Sequence, residues 1–182
     1  MLEHKFMTAP GPLTLTGEGT IEGYASIFGA RDQGGDTVAP GAYARSLAAL
    51  KAKGARVKML WQHDPAQPIG VWDEVREDAR GLWVKGRILR DVERGREAAA
   101  LVAAGAIDGL SIGYRTVRAT KTQGGHRLLG ELELWEVSLV TFPMLPEARV
   151  QAKGDTPEAE DWRDLARVFD EARAGMADDE DG

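Results

Sequence analysis

Along 20–28 (TIEGYASIF) apolar and polar residues alternate. Ile21, Ala25 and Ile27 fall on one face, Glu22, Tyr24 and Phe28 on the other, and the spacing predicts a half-buried strand. The two-residue period returns over 82–89, where Leu82, Val84 and Ile88 oppose Trp83, Lys85 and Arg87. Further strands are predicted over 57–62, 69–75, 110–118 and 128–141, punctuated by Asp64-Pro65, by 78–81 and by the turn at Gly124-Gly125. Two stretches change to helical spacing. After Pro40-Gly41, the positions of Tyr43, Leu47 and Leu50 predict a helix over 42–50 that stops near Lys53-Gly54. Asp91 stands where an N-cap belongs for a helix over 92–104, with Ala98, Leu101 and Val102 as its apolar stripe and Gly105 as its end. The segment 30–39, containing Gly34-Gly35, reads as a loop. Strands outnumber helices, so the expected class is mainly β with flanking helices, an α+β arrangement.

Pro143 and Pro146 close this body, and the composition then changes. Trp162, Leu165, Val168, Phe169 and Ala172 recur at helical spacing within a charged stretch, which predicts a short amphipathic helix ahead of a disordered acidic end at 178–181. A chain of 182 residues suits one core plus a tail, divided here as a domain over 1–152 and an acidic tail over 153–182. The net charge of −6 belongs to that tail: it carries 11 acids against 4 bases, whereas the first 152 residues carry 18 and 19. A near-neutral body without a basic stripe argues against nucleic acid as partner, since that affinity is mostly phosphate neutralisation. No apolar run approaches the roughly 20 residues of a membrane span, and Met1-Leu2-Glu3-His4-Lys5-Phe6 lacks the apolar core of a secretory signal. The expectation is a cytosolic protein without a membrane partner.

The absence of cysteine removes disulfides, thiolate catalysis and cysteine-ligated zinc, so a nucleophile must be of another type. Of the three histidines, His4 lies in a start read as flexible and His126 follows the Gly-Gly turn, both in ordinary exposed settings. His63 ends a strand where a loop begins, which holds a side chain on a rigid scaffold yet accessible; a structural role fits equally. Ser111 lies in Gly109-Leu110-Ser111-Ile112-Gly113, with glycines two before and two after that permit close backbone approach. The literal G-x-S-x-G match is not a nucleophile elbow, because a helix precedes it and an alternating strand follows. A packed strand serine is the plain alternative. Glu136 shares a strand face with Leu132, Leu134 and Ser138. A carboxylate there needs a partner: either a histidine N–H, which it would orient, or a salt bridge to Arg115 or Arg118.

Taken together in chain order, Trp61-Gln62-His63-Asp64, Gly109-Leu110-Ser111-Ile112-Gly113-Tyr114 and Trp135-Glu136-Val137-Ser138-Leu139-Val140-Thr141-Phe142-Pro143 resemble the prohead (head maturation) serine proteases of tailed bacteriophages. Gly23-Tyr24-Ala25-Ser26-Ile27-Phe28, Asp36 and Pro40-Gly41-Ala42-Tyr43 look like that family's opening strand, loop and helix, so the resemblance covers about 18–150. One departure is Met144-Leu145-Pro146 after the first proline, where the family often has small residues.

The resemblance implies a herpesvirus-assemblin-like fold, an antiparallel β-barrel surrounded by helices. It implies an endopeptidase acting inside the immature capsid, in the host bacterial cytoplasm, on scaffold or on the scaffold-like segment of the major capsid protein. Matched by position, Ser111 is the nucleophile, His63 the general base and Glu136 the third member, with His126 as a rival because the related viral enzymes use a second histidine. Ser111 would attack the scissile carbonyl to form an acyl-enzyme, with backbone N–H groups and an arginine such as Arg115 or Arg149 stabilising the oxyanion. No metal or organic cofactor is implied, and no His-Glu-x-x-His cluster occurs. Homodimerisation follows only by analogy with the herpesvirus enzymes. The tail would dock on capsid, on scaffold or on another copy, or carry a self-cleavage site over 152–157, or be a solvated extension. Two other classes compete: a non-catalytic capsid scaffold derived from such a protease, and an unrelated small β-barrel binding module.

Overall fold

A computed structural model describes residues 3–7, 14–15, 19–32 and 34–141. The expected tail helix, the Pro143–Pro146 region and Arg149 lie outside the described residues. In chain order the elements are β1 (Glu3–Met7), β2 (Thr14–Leu15), β3 (Thr20–Ile27), β4 (Thr37–Val38), α1 (Ala44–Ala52), β5 (Lys58–Trp61), β6 (Asp64–Glu77), β7 (Gly81–Ile88), α2 (Glu93–Ala103), β8 (Gly109–Lys121) and β9 (Arg127–Val140). The protein is mainly β with few helices, as the alternation predicted.

All described strands belong to one sheet in the order β1-β8-β9-β5-β6-β7-β3-β2, with β4 on β9. Neighbours run antiparallel except at β9, which takes β4 and β5 in parallel. Parallel pairing needs a long connection, and β6, β7, α2 and β8 supply it between β5 and β9. The sheet curls until it meets itself: Phe28, just past β3, bridges Val38 of β4, and the Gly29 N–H donates to the Val38 carbonyl at 3.0 Å. Inside the curl Ile21, Met59, Ile69, Leu82, Ile112 and Leu132 are almost fully buried. Each such side chain contributes about 1.5–3 kcal/mol relative to exposure.

β-bulges set the curvature of the long β8–β9 ribbon. Gly113 faces Glu136 but Tyr114 faces Leu134, which leaves Trp135 as the extra residue; Val117 is extra between the pairs Thr116–Leu132 and Arg118–Glu131. Both bulged side chains lie about half exposed, while Leu134 and Glu136 on either side of Trp135 are buried. Between its pairings to β4 and β5, β9 has no strand neighbour on that side among the described residues. Helix α1 and the turn leading into it fill the gap: the Ala42 carbonyl accepts the Leu132 N–H, and Ser46 Oγ accepts the Leu134 N–H, both at 2.9 Å. The start of α1 is held in turn by Glu77, whose carboxylate accepts the Tyr43 N–H at 2.9 Å, a favourable position for an anion.

Several expectations need correction. Asp91 is not the cap of α2: Val92 occupies that position, with no side-chain cap. The buried face of α2 consists of Gly95, Ala98, Ala99 and Val102, because small residues let the helix approach the sheet, and Leu101 is left 38% exposed. Ile27 is only half buried, since a bulge at Ala25 shifts the alternation and buries Ala25 and Ser26 in succession. Asp64-Pro65 opens β6 rather than separating two strands. The start read as flexible contains β1, which places His4 opposite Gly113 on β8.

Candidate functional site

His63 stands at the tip of the β5–β6 hairpin. Trp61 pairs with Asp64, so Gln62 and His63 form a two-residue turn, and both have positive φ, 51° and 63°. That is the signature of a type I′ turn, which usually takes Asn-Gly. Non-glycine residues there cost roughly 1–2 kcal/mol each, a strain that persists only where the surroundings fix it. Here the end of β9 does so. The Gln62 N–H donates to the Leu139 carbonyl at 2.9 Å, the Gln62 side-chain amide to Thr141 Oγ1 at 2.6 Å, and the His63 N–H to Ser138 Oγ at 3.2 Å. Asp64 steadies the descending arm by accepting the Ala66 N–H and the Gln67 amide, each at 2.8 Å.

Ser111 and Glu136 face this tip from the β8–β9 ribbon, where Ser111 opposes Ser138 and Gly113 opposes Glu136. His63 Nε2 lies 2.7 Å from Ser111 Oγ, and His63 Nδ1 lies 2.5 Å from Glu136 Oε1. A carboxylate only accepts, so Nδ1 carries the proton and Nε2 presents its lone pair to the seryl hydroxyl. The second carboxylate oxygen, Oε2, accepts the Ser138 O–H at 2.5 Å. Space for the carboxylate comes from Gly113: a Cβ at that position would lie 2.0 Å from Glu136 Oε1. The Trp72 indole N–H donates to the Val137 carbonyl at 3.1 Å and ties β6 to β9.

The group is secluded. Ser111 and Ser138 have no exposed surface, and the side chains of His63 and Glu136 keep 9% and 5%. A carboxylate so buried is tolerable only when hydrogen-bonded, and the imidazole and the Ser138 hydroxyl both serve it.

The structure therefore brings together Ser111, His63 and Glu136 and leaves the other sequence-derived candidates elsewhere. His126 Nδ1 sits 2.7 Å from an Arg31 guanidinium nitrogen, at the far end of the ribbon. From Arg127 to Glu136 is about 30 Å of strand. Arg115 bonds Glu133 at 2.8 Å and Arg118 bonds the Gly130 carbonyl at 3.1 Å, so neither takes the place of His63 beside Glu136. Arg115 also stands about 13 Å along β8 from Ser111. Among the described residues no group of three or more His, Asp or Glu could hold a metal ion. Sequence reasoning missed Ser138, Gln62 and Thr141. The available signal was the i, i+2 spacing of Glu136 and Ser138 on one strand face.

A hydroxyl, an imidazole and a carboxylate in hydrogen-bonded line on a β scaffold is the arrangement that serine hydrolases use. Comparison with known proteins makes the class specific. The family model of the caudovirus prohead serine proteases matches residues 9–161, and the chain belongs to that family. The prohead protease of Enterobacteria phage HK97 is 31% identical over 151 residues, 81% of this chain and 66% of that protein. The capsid polyprotein of Pseudomonas phage PAJU2 is 32% identical over 113 residues, 56% of this chain but only 17% of the polyprotein. The chain thus spans just under two thirds of one relative and a small part of the other. In fold it resembles the capsid assembly protease of bacteriophage T4, with a TM-score of 0.61 and 17% identity over 76% of this chain and 96% of that one. No helix among the described residues is long and apolar enough to cross a membrane.

Proposed function

We propose that this protein is a serine endopeptidase that cleaves capsid scaffold, or the scaffold-like segment of the major capsid protein, during prohead maturation. The observation that carries the reading is the line Ser111–His63–Glu136, in which residues from two strands and the β5–β6 turn are joined by hydrogen bonds of 2.7 and 2.5 Å. In this reading His63 Nε2 takes the proton of Ser111 as Oγ attacks the scissile carbonyl. The imidazolium, stabilised by Glu136, then gives that proton to the leaving amine, and water hydrolyses the acyl-enzyme by the same route. Backbone N–H groups supply the oxyanion site. No metal or cofactor is needed.

Membership of the prohead protease family supports the class, and the likeness to part of a capsid polyprotein supports coat protein as substrate. The reaction takes place inside the immature capsid in the host bacterial cytoplasm. The closed curl of the sheet supports an assemblin-like barrel for 1–152, followed by an acidic tail, and a homodimer is the assembly proposed by analogy. Co-expression with the cognate major capsid protein tests the function. Loss of a coat segment with the wild type but not with Ser111→Ala supports it, and an unchanged coat mass with normal assembly favours a non-catalytic scaffold.

A further inference from the structure

We infer that Ser138 is a positioning residue that sets the acid and the base of the site against each other through a single hydroxyl. The inference rests on the reading of Ser111, His63 and Glu136 as a catalytic group. Ser138 Oγ makes two bonds of opposite sense: its proton goes to Glu136 Oε2 at 2.5 Å, and its lone pair accepts the backbone N–H of His63 at 3.2 Å. The same oxygen therefore holds the carboxylate that orients the imidazole and the backbone from which that imidazole hangs. Neither bond is incidental. The first satisfies the carboxylate oxygen turned away from His63, which burial deprives of water. The second anchors a residue with φ of 63°, a conformation that a non-glycine residue keeps only when its surroundings impose it.

Register explains why position 138 serves. Ser138 is the cross-strand partner of Ser111 and lies two residues beyond Glu136, on the same face of β9. From one side β8 presents the hydroxyl, and from the other β5 ends beside Leu139 and delivers the His63 turn. An alanine there would fill the space but leave Glu136 Oε2 and the His63 N–H without this partner. The carboxylate could then rotate about its terminal bond and the turn could drift, so the distance from Nε2 to Ser111 Oγ would no longer be fixed. A misplacement of about 1 Å at a reacting centre costs on the order of 100-fold in rate.

The test uses a fluorophosphonate probe, which needs no knowledge of the natural substrate. Ser111 Oγ attacks its phosphorus, fluoride leaves, and His63 takes the proton, so the labelling rate reports the activated hydroxyl on the intact chain. The wild type should label, and Ser111→Ala should not. Ser138→Ala should label about 10- to 100-fold more slowly, and the Nδ1–H proton resonance of His63, expected far downfield in the wild type, should move or broaden in its NMR spectrum. Ser138→Cys, close in size but offering only a weak thiol donor, should be slowed similarly and guards against misfolding of the alanine variant. A residue with a merely structural role would lower the melting temperature and leave both the labelling rate of folded protein and that resonance unchanged. Labelling of either variant within threefold of the wild type overturns the inference. Failure of the wild type to label at Ser111 instead overturns the serine-protease reading beneath it.

Discussion

Replacing Gly113 with alanine tests the packing of the site at its tightest point. The added Cβ would lie 2.0 Å from Glu136 Oε1, 2.7 Å from its Cδ and 2.9 Å from its Cγ, whereas ordinary contact begins near 3.4 Å. The carboxylate must therefore retreat by more than about 1 Å, and Gly113 cannot yield easily because it sits in the middle of β8, opposite Glu136 on β9 and His4 on β1. Glu136 makes one 2.5 Å bond to His63 and another to Ser138, and a displacement of that size breaks at least one. Two costs follow. Overpacking destabilises the fold by about 1–3 kcal/mol, which urea denaturation reads as a lower midpoint with an unchanged slope. Misplacing the acid slows the nucleophile by roughly 100-fold or more, equivalent to about 2.7 kcal/mol of transition-state stabilisation. Fluorophosphonate labelling of Ser111 in the folded variant measures the second cost separately from the first. If Gly113→Ala folds and labels within threefold of the wild type, the carboxylate is not held where its contact with Gly113 places it, and the geometric reasoning fails.

The other predictions concern separate parts of the molecule. Glu136→Gln should slow labelling by about 10²- to 10⁴-fold, because the imidazole loses the group that fixes its tautomer; His126→Ala should leave the rate within twofold, and the opposite ranking would restore His126 as third member. Ser46→Ala leaves the buried Leu134 N–H without its acceptor and should cost about 1–3 kcal/mol of stability by urea denaturation, with a change below about 0.5 kcal/mol contradicting the role given to α1. At the surface, the hydrogen bond and charge of Arg87 hold the Asp73 carboxyl below its ordinary value. Its contribution is therefore present above the ordinary carboxylate range and is lost as pH falls through the depressed value. Both partners are well exposed, so Asp73→Asn should flatten the acid side of the stability profile by no more than about 1 kcal/mol, and an unchanged profile would remove the pair from the account.

What the sequence disclosed, it disclosed through local chemistry. Glu136 stood out as a carboxylate in an apolar strand and Ser111 as a hydroxyl between two glycines, and both lie on strands whose alternation was plain to read. The purpose of the second glycine was hidden, because Gly113 is small for the sake of Glu136, a residue 23 positions away that β8–β9 pairing brings alongside. Long-range pairing also concealed β1, whose partner lies more than 100 residues along the chain, and Ser46, which completes a gap in β9 rather than any feature of its own helix. The His63 turn was illegible for another reason. Gln-His has none of the sequence marks of a type I′ turn, and its positive φ values are imposed by the end of β9 and not by local preference. Leu101 misled because hydrophobicity alone places it inward, whereas close packing of α2 on the sheet selects its glycine and alanines.

The central claim is that Ser111 cuts a capsid protein, and the most direct measurement is the mass of the coat subunit made with this protein. Coat protein from particles assembled with the wild type, with Ser111→Ala and with His63→Ala should be compared by intact-mass spectrometry. The account predicts a coat subunit shortened by one defined segment with the wild type and left at full length with both variants. A subunit shortened equally in all three, or full-length in all three within normally matured particles, would contradict it.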